Sequence, residues 1–285
     1  MARIQHNIPA LNSYRNLSVN SGNLAKNLEK LSSGYRVNRA GDDAAGLAIS
    51  EKLRAQITGL DTAIKNAQDG ISVIQTAEGA LTETHVMLNR MVELATQAAN
   101  GIYQDEERLN IQREINALNS EIDRIAKYTT FNQFDILSGN FANTGVVLQI
   151  GDTGAQTIEL KVNSMQATGL STNNVVVTNA GGSAATALDA ARTAANAAIS
   201  IIRNAINVVS TQRASLGAVQ NRLEHTILNQ QVTVENLTAA ESRIRDTDMA
   251  KEMMAFAKNN IIYQANQAML AQANALPQSI LQLLQ

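Results

Sequence analysis

Cysteine is absent from the 285 residues, which excludes disulfides, thiolate metal sites and a cysteine nucleophile. Aromatic residues make up only 3%, so base-stacking platforms and large aromatic ligand pockets are not expected. Neither sign of charge dominates. The 23 Lys and Arg face 25 Asp and Glu, a net charge of −2, without the basic surplus of a nucleic-acid binder. Proline occurs twice, at Pro9 and Pro277, and the 267 residues between them contain none. Proline normally punctuates loops, so its absence predicts very long helices with few joints. No run of roughly 18 apolar residues exists, and no transmembrane helix is expected. The opening stretch, residues 1–16, has no uninterrupted apolar core and predicts no cleavable secretory signal.

The hydrophobic fraction, 45%, is enough for packed structure. Asn and Gln together number 51 and outnumber the 48 charged residues, which suits helices packed against other chains better than helices facing water. The tail from Asn259 to Gln285 is 27 residues long without one Asp, Glu, Lys or Arg. Its amides would be unsatisfied in lipid, which disfavours a membrane anchor.

Apolar periodicity organises the chain. Leu53, Ile57, Leu60, Ile64, Ala67, Ile71, Ile74, Leu81, Leu88, Val92 and Ala95 follow alternating steps of four and three, interrupted only by Glu78 and His85. A helix from Asp43 to Ala99 would span roughly 85 Å at its usual rise. A shorter ladder runs Ile111, Ile115, Leu118, Ile122, Ile125. A third runs from Ile199 through Ile202, Ile206, Val209, Leu216, Leu223, Ile227, Val234 and Leu237 to Ile244. Matching stripes of about 3.5-residue period predict a rod-shaped helical bundle. Between the second and third ladders, Gly145–Gly151 and Gln156–Val162 read as two short strands of a hairpin. Val175–Thr178 is a weaker strand, and Gly181–Ser183 a loop. At the front, Ile4, Ile8, Leu11, Leu17, Leu24, Leu28 and Leu31 mark an amphipathic helix. At the back, Met249, Met253, Phe256, Tyr263 and Leu270 mark another, which Pro277 should interrupt before Ile280, Leu281, Leu283 and Leu284. Neither end buries enough apolar surface alone, so both are expected to be disordered in the monomer and helical on assembly.

Signs of catalysis are missing. His6, His85 and His225 form no HExxH and no helical metal-ligand pair. No GxSxG, Walker loop or dinucleotide fingerprint follows a strand. No enzyme activity, cofactor or metal is expected. Asp42 and Asp43 precede a long helix and are read as caps for its orphan N–H groups. Asp105, Glu106 and Glu107 read as a solvated helix start.

The segment Ser32–Gln56, SSGYRVNRAGDDAAGLAISEKLRAQ, closely resembles the N-terminal signature of bacterial flagellins. The positions Ser33, Gly34, Arg36, Asn38, Asp42, Asp43 and Gly46 carry that signature. ENLTAAESRIRDTDMAKEM, Glu235–Met253, resembles its C-terminal counterpart. Leu88–Gly101, Glu121–Ala126 and the leucine-rich end extend the match in the family's order. The resemblance implies a mainly α fold. Residues 1–42 and 245–285 would be the two halves of an inner-tube domain of paired terminal helices. Residues 43–138 and 184–244 would form a long antiparallel helical rod, and 139–183 its β-hairpin and outer loop. It also implies a secreted structural subunit that polymerises with copies of itself into the extracellular flagellar filament for swimming. Its partners would be an export chaperone, the filament cap and hook-junction proteins, with no nucleic acid and no membrane. The apolar residues of the two terminal segments would be the assembly contacts, and Gln282 and Gln285 would keep the tube lining polar.

In flagellins sensed by a Toll-like receptor, an Arg and a Leu on the first rod helix and a Glu on the next form the contact core. The matching residues here are Arg90, Leu94 and Glu114. The other reading of Arg90 and Glu114 is packing between subunits. Leu281, Leu283 and Leu284 resemble the part read by cytosolic innate immune sensors, or they pack inside the tube. Ser171, Thr172, Thr178 and Ser183 are candidates for O-glycosylation. The alternative reading is a hook–filament junction protein of the same superfamily. Those relatives commonly carry a proline soon after the paired aspartates, where this chain reads GDDAAGLAIS.

Overall fold

The computed structural model describes residues 7–142, 144–178 and 184–282. The elements in order are α1 (Ile8–Ser33), α2 (Ala44–Ala98), α3 (Asp105–Tyr128), β1 (Thr130–Phe131), β2 (Phe134–Asp135), β3 (Val146–Gln149), β4 (Thr157–Leu160), a 3-10 turn (Thr172–Asn174), α4 (Ala184–Arg245) and α5 (Met249–Gln282). The fold is mainly α, with a small antiparallel hairpin.

The helix boundaries follow from local chemistry. Pro9 lies in the first turn of α1, where its missing N–H costs nothing, and the Ala10 N–H donates to the Asn7 Oδ1 cap at 3.1 Å. Gly34 ends α1 at φ 76°, a conformation glycine adopts without strain. Asp43 caps α2 by accepting from the Gly46 N–H at 2.8 Å. A Cβ on residue 46 would press on that carboxylate, which would have to shift to keep the cap. The run Asp105–Glu107 does open α3, with the Gln104 N–H bound to Glu107 Oε2 at 2.9 Å.

Two compact units divide the chain. One comprises the chain up to Ile57 and from Val234 on, and the other comprises Thr58–Thr233. In the second unit α2, α3, the hairpins and α4 share one hydrophobic core. Arg213 and Glu78 pair at 3.5 Å, and Gly70 lies against Leu148 and Leu223, so α4 runs antiparallel to α2. The buried stripe of α2 has two columns. Leu60, Ala67, Ile74, Leu81, Leu88 and Ala95 form the expected one. The other is Ala63, Gly70, Ala77, Thr84, Met91 and Ala98, mostly small side chains. The expected second column, Ile64, Ile71, Val92 and the interrupting Glu78 and His85, is half-buried along the edge. Helix α4 repeats this arrangement. Ile202, Val209, Leu216 and Leu223 are buried beside Ala191, Ala198, Ala205 and Gln212, while Ile199, Ile206 and Ile227 flank them. Small residues let neighbouring elements approach closely, and the larger ones beside them seal the edge.

The hairpin is where the sequence placed it: β3 and β4 pair with Val146 opposite Leu160 and Gln149 opposite Thr157. A second, unforeseen hairpin pairs β1 with β2 around Asn132 and Gln133, at φ 49° and 66°, a tight-turn geometry that asparagine tolerates. Val175–Thr178 is not a strand. Instead Gln112 of α3 holds its main chain, donating from Nε2 to Val175 O at 3.0 Å and accepting from the Val177 N–H at 2.8 Å. Other polar groups on the helices do the same for the irregular segment. Asn66 donates to Gln149 O (3.1 Å), Asn119 to Thr172 O (3.1 Å), Gln212 to Lys161 O (3.0 Å) and Gln230 to Ile150 O. Asp123 accepts from the Ala167 N–H at 2.7 Å. Part of the amide surplus therefore replaces a sheet as hydrogen-bond partner for buried main chain. Arg108 is 1% exposed and reaches Asn100 O (3.4 Å) just past the C-terminal end of α2, where the helix dipole favours a cation.

In the first unit α1 packs antiparallel against α5. Pro277 does not interrupt α5, which continues to Gln282.

Candidate functional site

The terminal helix pair is built from alternating layers. Ala10, Leu17, Leu24 and Leu31 of α1 and Phe256, Tyr263 and Leu270 of α5 form the apolar layers. Between them lie Ser13, Asn20 and Asn27 on α1 and Glu252, Asn259, Asn266 and Ala273 on α5. Asn20 and Asn27 are only 8% and 9% exposed. Asn20 Nδ2 donates to Asn259 O at 3.5 Å and Asn7 Nδ2 to Ala273 O at 2.8 Å. In the amide orientation that matches donors to acceptors, Asn27 donates to Glu252 Oε1 (3.2 Å) and accepts from Asn259 Nδ2 (3.1 Å). Buried amides of this kind specify partner and register at a cost in stability.

The structure separates the expected assembly residues into two groups. Leu17, Leu24, Leu31, Phe256, Tyr263 and Leu270 hold the pair together. Ile8, Leu11, Leu28 and Met253 are exposed, between 49% and 61%. Tyr14, Val19, Met254, Ile261 and Met269, which periodicity passed over, join this uncovered apolar surface. Leu281 lies on α5, and Ile4, Leu283, Leu284 and Gln285 lie outside the described residues.

The signature residues build one joint between α1 and α2 and tie it to the α4–α5 connection. Ser33 Oγ accepts from the Tyr35 N–H (3.1 Å) and from Asn38 Nδ2 (2.8 Å). Asp42 accepts from the N–H groups of Asn38 (3.2 Å) and Arg39 (3.1 Å), so it braces the turn before α2, whereas Asp43 alone caps the helix. Those two N–H groups, Arg39 first, hold the Asp42 carboxyl below its ordinary range. Across the joint the Arg36 N–H donates to Arg245 O (2.7 Å), the Thr247 N–H donates to Gly34 O (2.9 Å), and Tyr35 bridges to Asp246. The Arg36 guanidinium reaches Ile244 O. Arg245 stacks over the Tyr35 ring at 4.7 Å and pairs with Glu51 at 2.7 Å. The motif is thus chiefly a main-chain scaffold.

On the second unit, Arg90 bonds Glu114 through Nε and Nη2, both at 3.0 Å, and Glu93 through Nη1 at 3.0 Å. These bonds, Glu93 first, raise the Arg90 pKa. Arg90 and Glu114 form one exposed cluster, but Leu94 is 2% exposed and lies in the core behind it. Nearby in sequence to none of these, Val73, Phe131, Phe134, Phe141, Val146 and Leu148 line an open apolar groove of about 260 Å³ beside the hairpins. Phe134 and Phe141 meet edge-to-face at 6.3 Å. The sparse aromatics gave no sign of it, because residues from four separate stretches, 69–73, 131–136, 141 and 146–148, converge there. Of the four glycosylation candidates, Ser171 is exposed and Thr178 half-buried. Thr172 is buried, and Ser183 lies outside the described residues. Among the described residues no group of three acidic, His or Cys side chains could hold a metal ion, and no helix is long and apolar enough to cross a membrane.

Comparison with known proteins agrees with this anatomy. Residues 4–142 match the bacterial flagellin N-terminal helical region, and residues 199–284 match the C-terminal helical region. The chain is 54% identical to a flagellin of Bacillus subtilis and 50% identical to one of Halalkalibacterium halodurans, each over 99% of both chains. It is 48% identical, over 99% of both chains, to the flagellar filament 31.3 kDa core protein of Treponema maltophilum. A putative flagellar hook-associated protein from Vibrio parahaemolyticus shares the fold alone, at TM-score 0.55 and 13% identity over 72% of this chain and all of that one. Signature, terminal helix pair and full-length similarity converge: the chain belongs to the bacterial flagellin family, a family of structural proteins.

Proposed function

We propose that this protein is the subunit of a flagellar filament used for swimming. The observation that carries the reading is the uncovered apolar surface of the terminal helices, where Met254 and Ile261 are each 68% exposed. Surface of that kind on both helices of one pair calls for further copies. Contacts between copies that do not close a ring generate an open helical polymer. The subunit leaves the cell through the flagellar export apparatus, with a chaperone on its C-terminal region, and assembles under the cap at the distal end of an extracellular filament. Purified monomer should elongate added filament seeds into long tubes by negative-stain electron microscopy. Monomer that stays soluble, or yields only short cap-like assemblies, would move the hook–filament junction reading to first place.

We also propose that the Arg90–Glu114 cluster is read by host innate receptors. Arginine presented on a rigid helix is a common interface hot spot. Leu94 then acts from beneath, by supporting the helix. Arg90→Ala should weaken receptor activation with monomer folding unchanged in circular dichroism, and unaltered activation would remove the claim.

A further inference from the structure

Asn7 and Pro277 lie 270 residues apart and are joined by a single carbonyl. In an α-helix the carbonyl of residue 273 accepts from the N–H of residue 277. Proline has no N–H, so Pro277 leaves Ala273 O without that donor. Ala273 is 6% exposed, and water has little access to replace the lost bond. Asn7 Nδ2 donates to Ala273 O at 2.8 Å, while the same side chain caps α1 through Oδ1.

We propose that Asn7 is a positioning residue for the end of α5. Its amide stands in for the N–H that Pro277 lacks, so the helix beyond Ala273 is continuous only while the start of α1 is docked. The proline, which sequence rules read as a stop, is here a conditional joint. Undocked, α5 loses its partner at this carbonyl and its last turns open. Docked, both chain ends become helical together. The inference rests on the filament reading, since the helix pair is expected to form on assembly, and seeded growth of the unchanged chain tests that reading separately.

The test separates the two roles of Asn7. Asn7→Asp keeps the cap acceptor but removes the donor. Pro277→Ala restores the helix's own bond. Hydrogen exchange on filaments grown from seeds, followed by mass spectrometry, should show protection over residues 274–282 falling on the order of tenfold in Asn7→Asp relative to the unchanged chain. Protection of the first turn of α1 should hold. In the Pro277→Ala background the same Asn7→Asp change should leave residues 274–282 unaffected. Equal losses in both backgrounds, or no loss in the first, would overturn the proposal. If Asn7→Asp undocks the helices altogether, Asn7→Ser supplies a shorter cap oxygen and the same comparison between backgrounds decides.

Discussion

At the scale of single residues, charged and amide groups in this protein chiefly satisfy main chain. Asp42 shows how this can be tested. Its carboxyl sits below the usual value of 3.8 because it accepts two backbone N–H groups. A group depressed by folding stabilises the native state above its unfolded pKa, and that contribution disappears as pH falls through the lower folded value. A carboxyl-carbon NMR titration should place the Asp42 midpoint below 3.8, with the Asn38 and Arg39 amides losing exchange protection through the same window. A midpoint at or above the ordinary value would show that the turn does not form in solution. The motif around it was recognisable as a sequence, but its division of labour was not. Asp42 and Asp43 are adjacent and chemically alike, and only the direction of the chain sends one to a turn and the other to a helix end.

At the scale of elements, the helices were legible from periodicity, whereas the faces they bury were offset. Steps of four and three located α2, α3 and α4, because a stripe of large apolar residues shows wherever it lies on the helix. The ladder favours large side chains, so it paired Leu60 with Ile64. The structure pairs Leu60 with Ala63, since tight packing admits small residues at the centre and leaves branched ones at the rim. Ala77→Leu should therefore lower stability by about 1–3 kcal/mol through overpacking. Glu78→Leu, although it fills a gap in the ladder, exchanges only a partly exposed ion pair with Arg213 and should change stability by less than about 1 kcal/mol. Thermal denaturation of the two variants checks the order. The reverse order would restore the original ladder as the buried one. Helix α5 failed the rules for a different reason: its alternate layers include the amides Asn259 and Asn266, invisible to an apolar count, and the Ala273 carbonyl that the proline leaves without an intrahelical donor finds one in the Asn7 side chain.

At the scale of the whole molecule, the terminal helices are paired but not covered. Leu17, Leu24 and Leu31 meet the aromatic face of α5, and an apolar surface of Ile8, Leu11, Met254, Ile261 and Met269 is left over. Ile261→Lys should leave the monomer's far-ultraviolet circular dichroism unchanged, because the side chain is not part of the pair, and should abolish elongation from seeds. Elongation at the native rate would show that this part of α5 faces solvent or the lumen in the polymer. The amide seam also bears on the ends of the chain. Helices held by alternate Asn layers and apolar layers are separable at lower cost than an all-leucine pair, which suits a chain whose ends are expected to fold on assembly.

Composition and spacing were enough to establish the class of this protein. Proline scarcity, absent cysteine, two long apolar ladders with a shorter one between them, and a dense local signature are one-dimensional features, and each carries its meaning without a partner. They yielded a helical structural protein, the hairpin at Val146–Leu160, one of the two aspartate caps foreseen for α2 and the family. Whatever depends on a residue distant in the chain came from tertiary contacts. Burial of Leu94, clamping of Val175–Val177 by Gln112, convergence of Val73 with three phenylalanines on one groove, and the passage of α5 through Pro277 all depend on groups brought together across many residues. Periodicity reports which side of a helix is apolar. It does not report which neighbour supplies the missing hydrogen bond, and in this chain that neighbour decides where a helix ends.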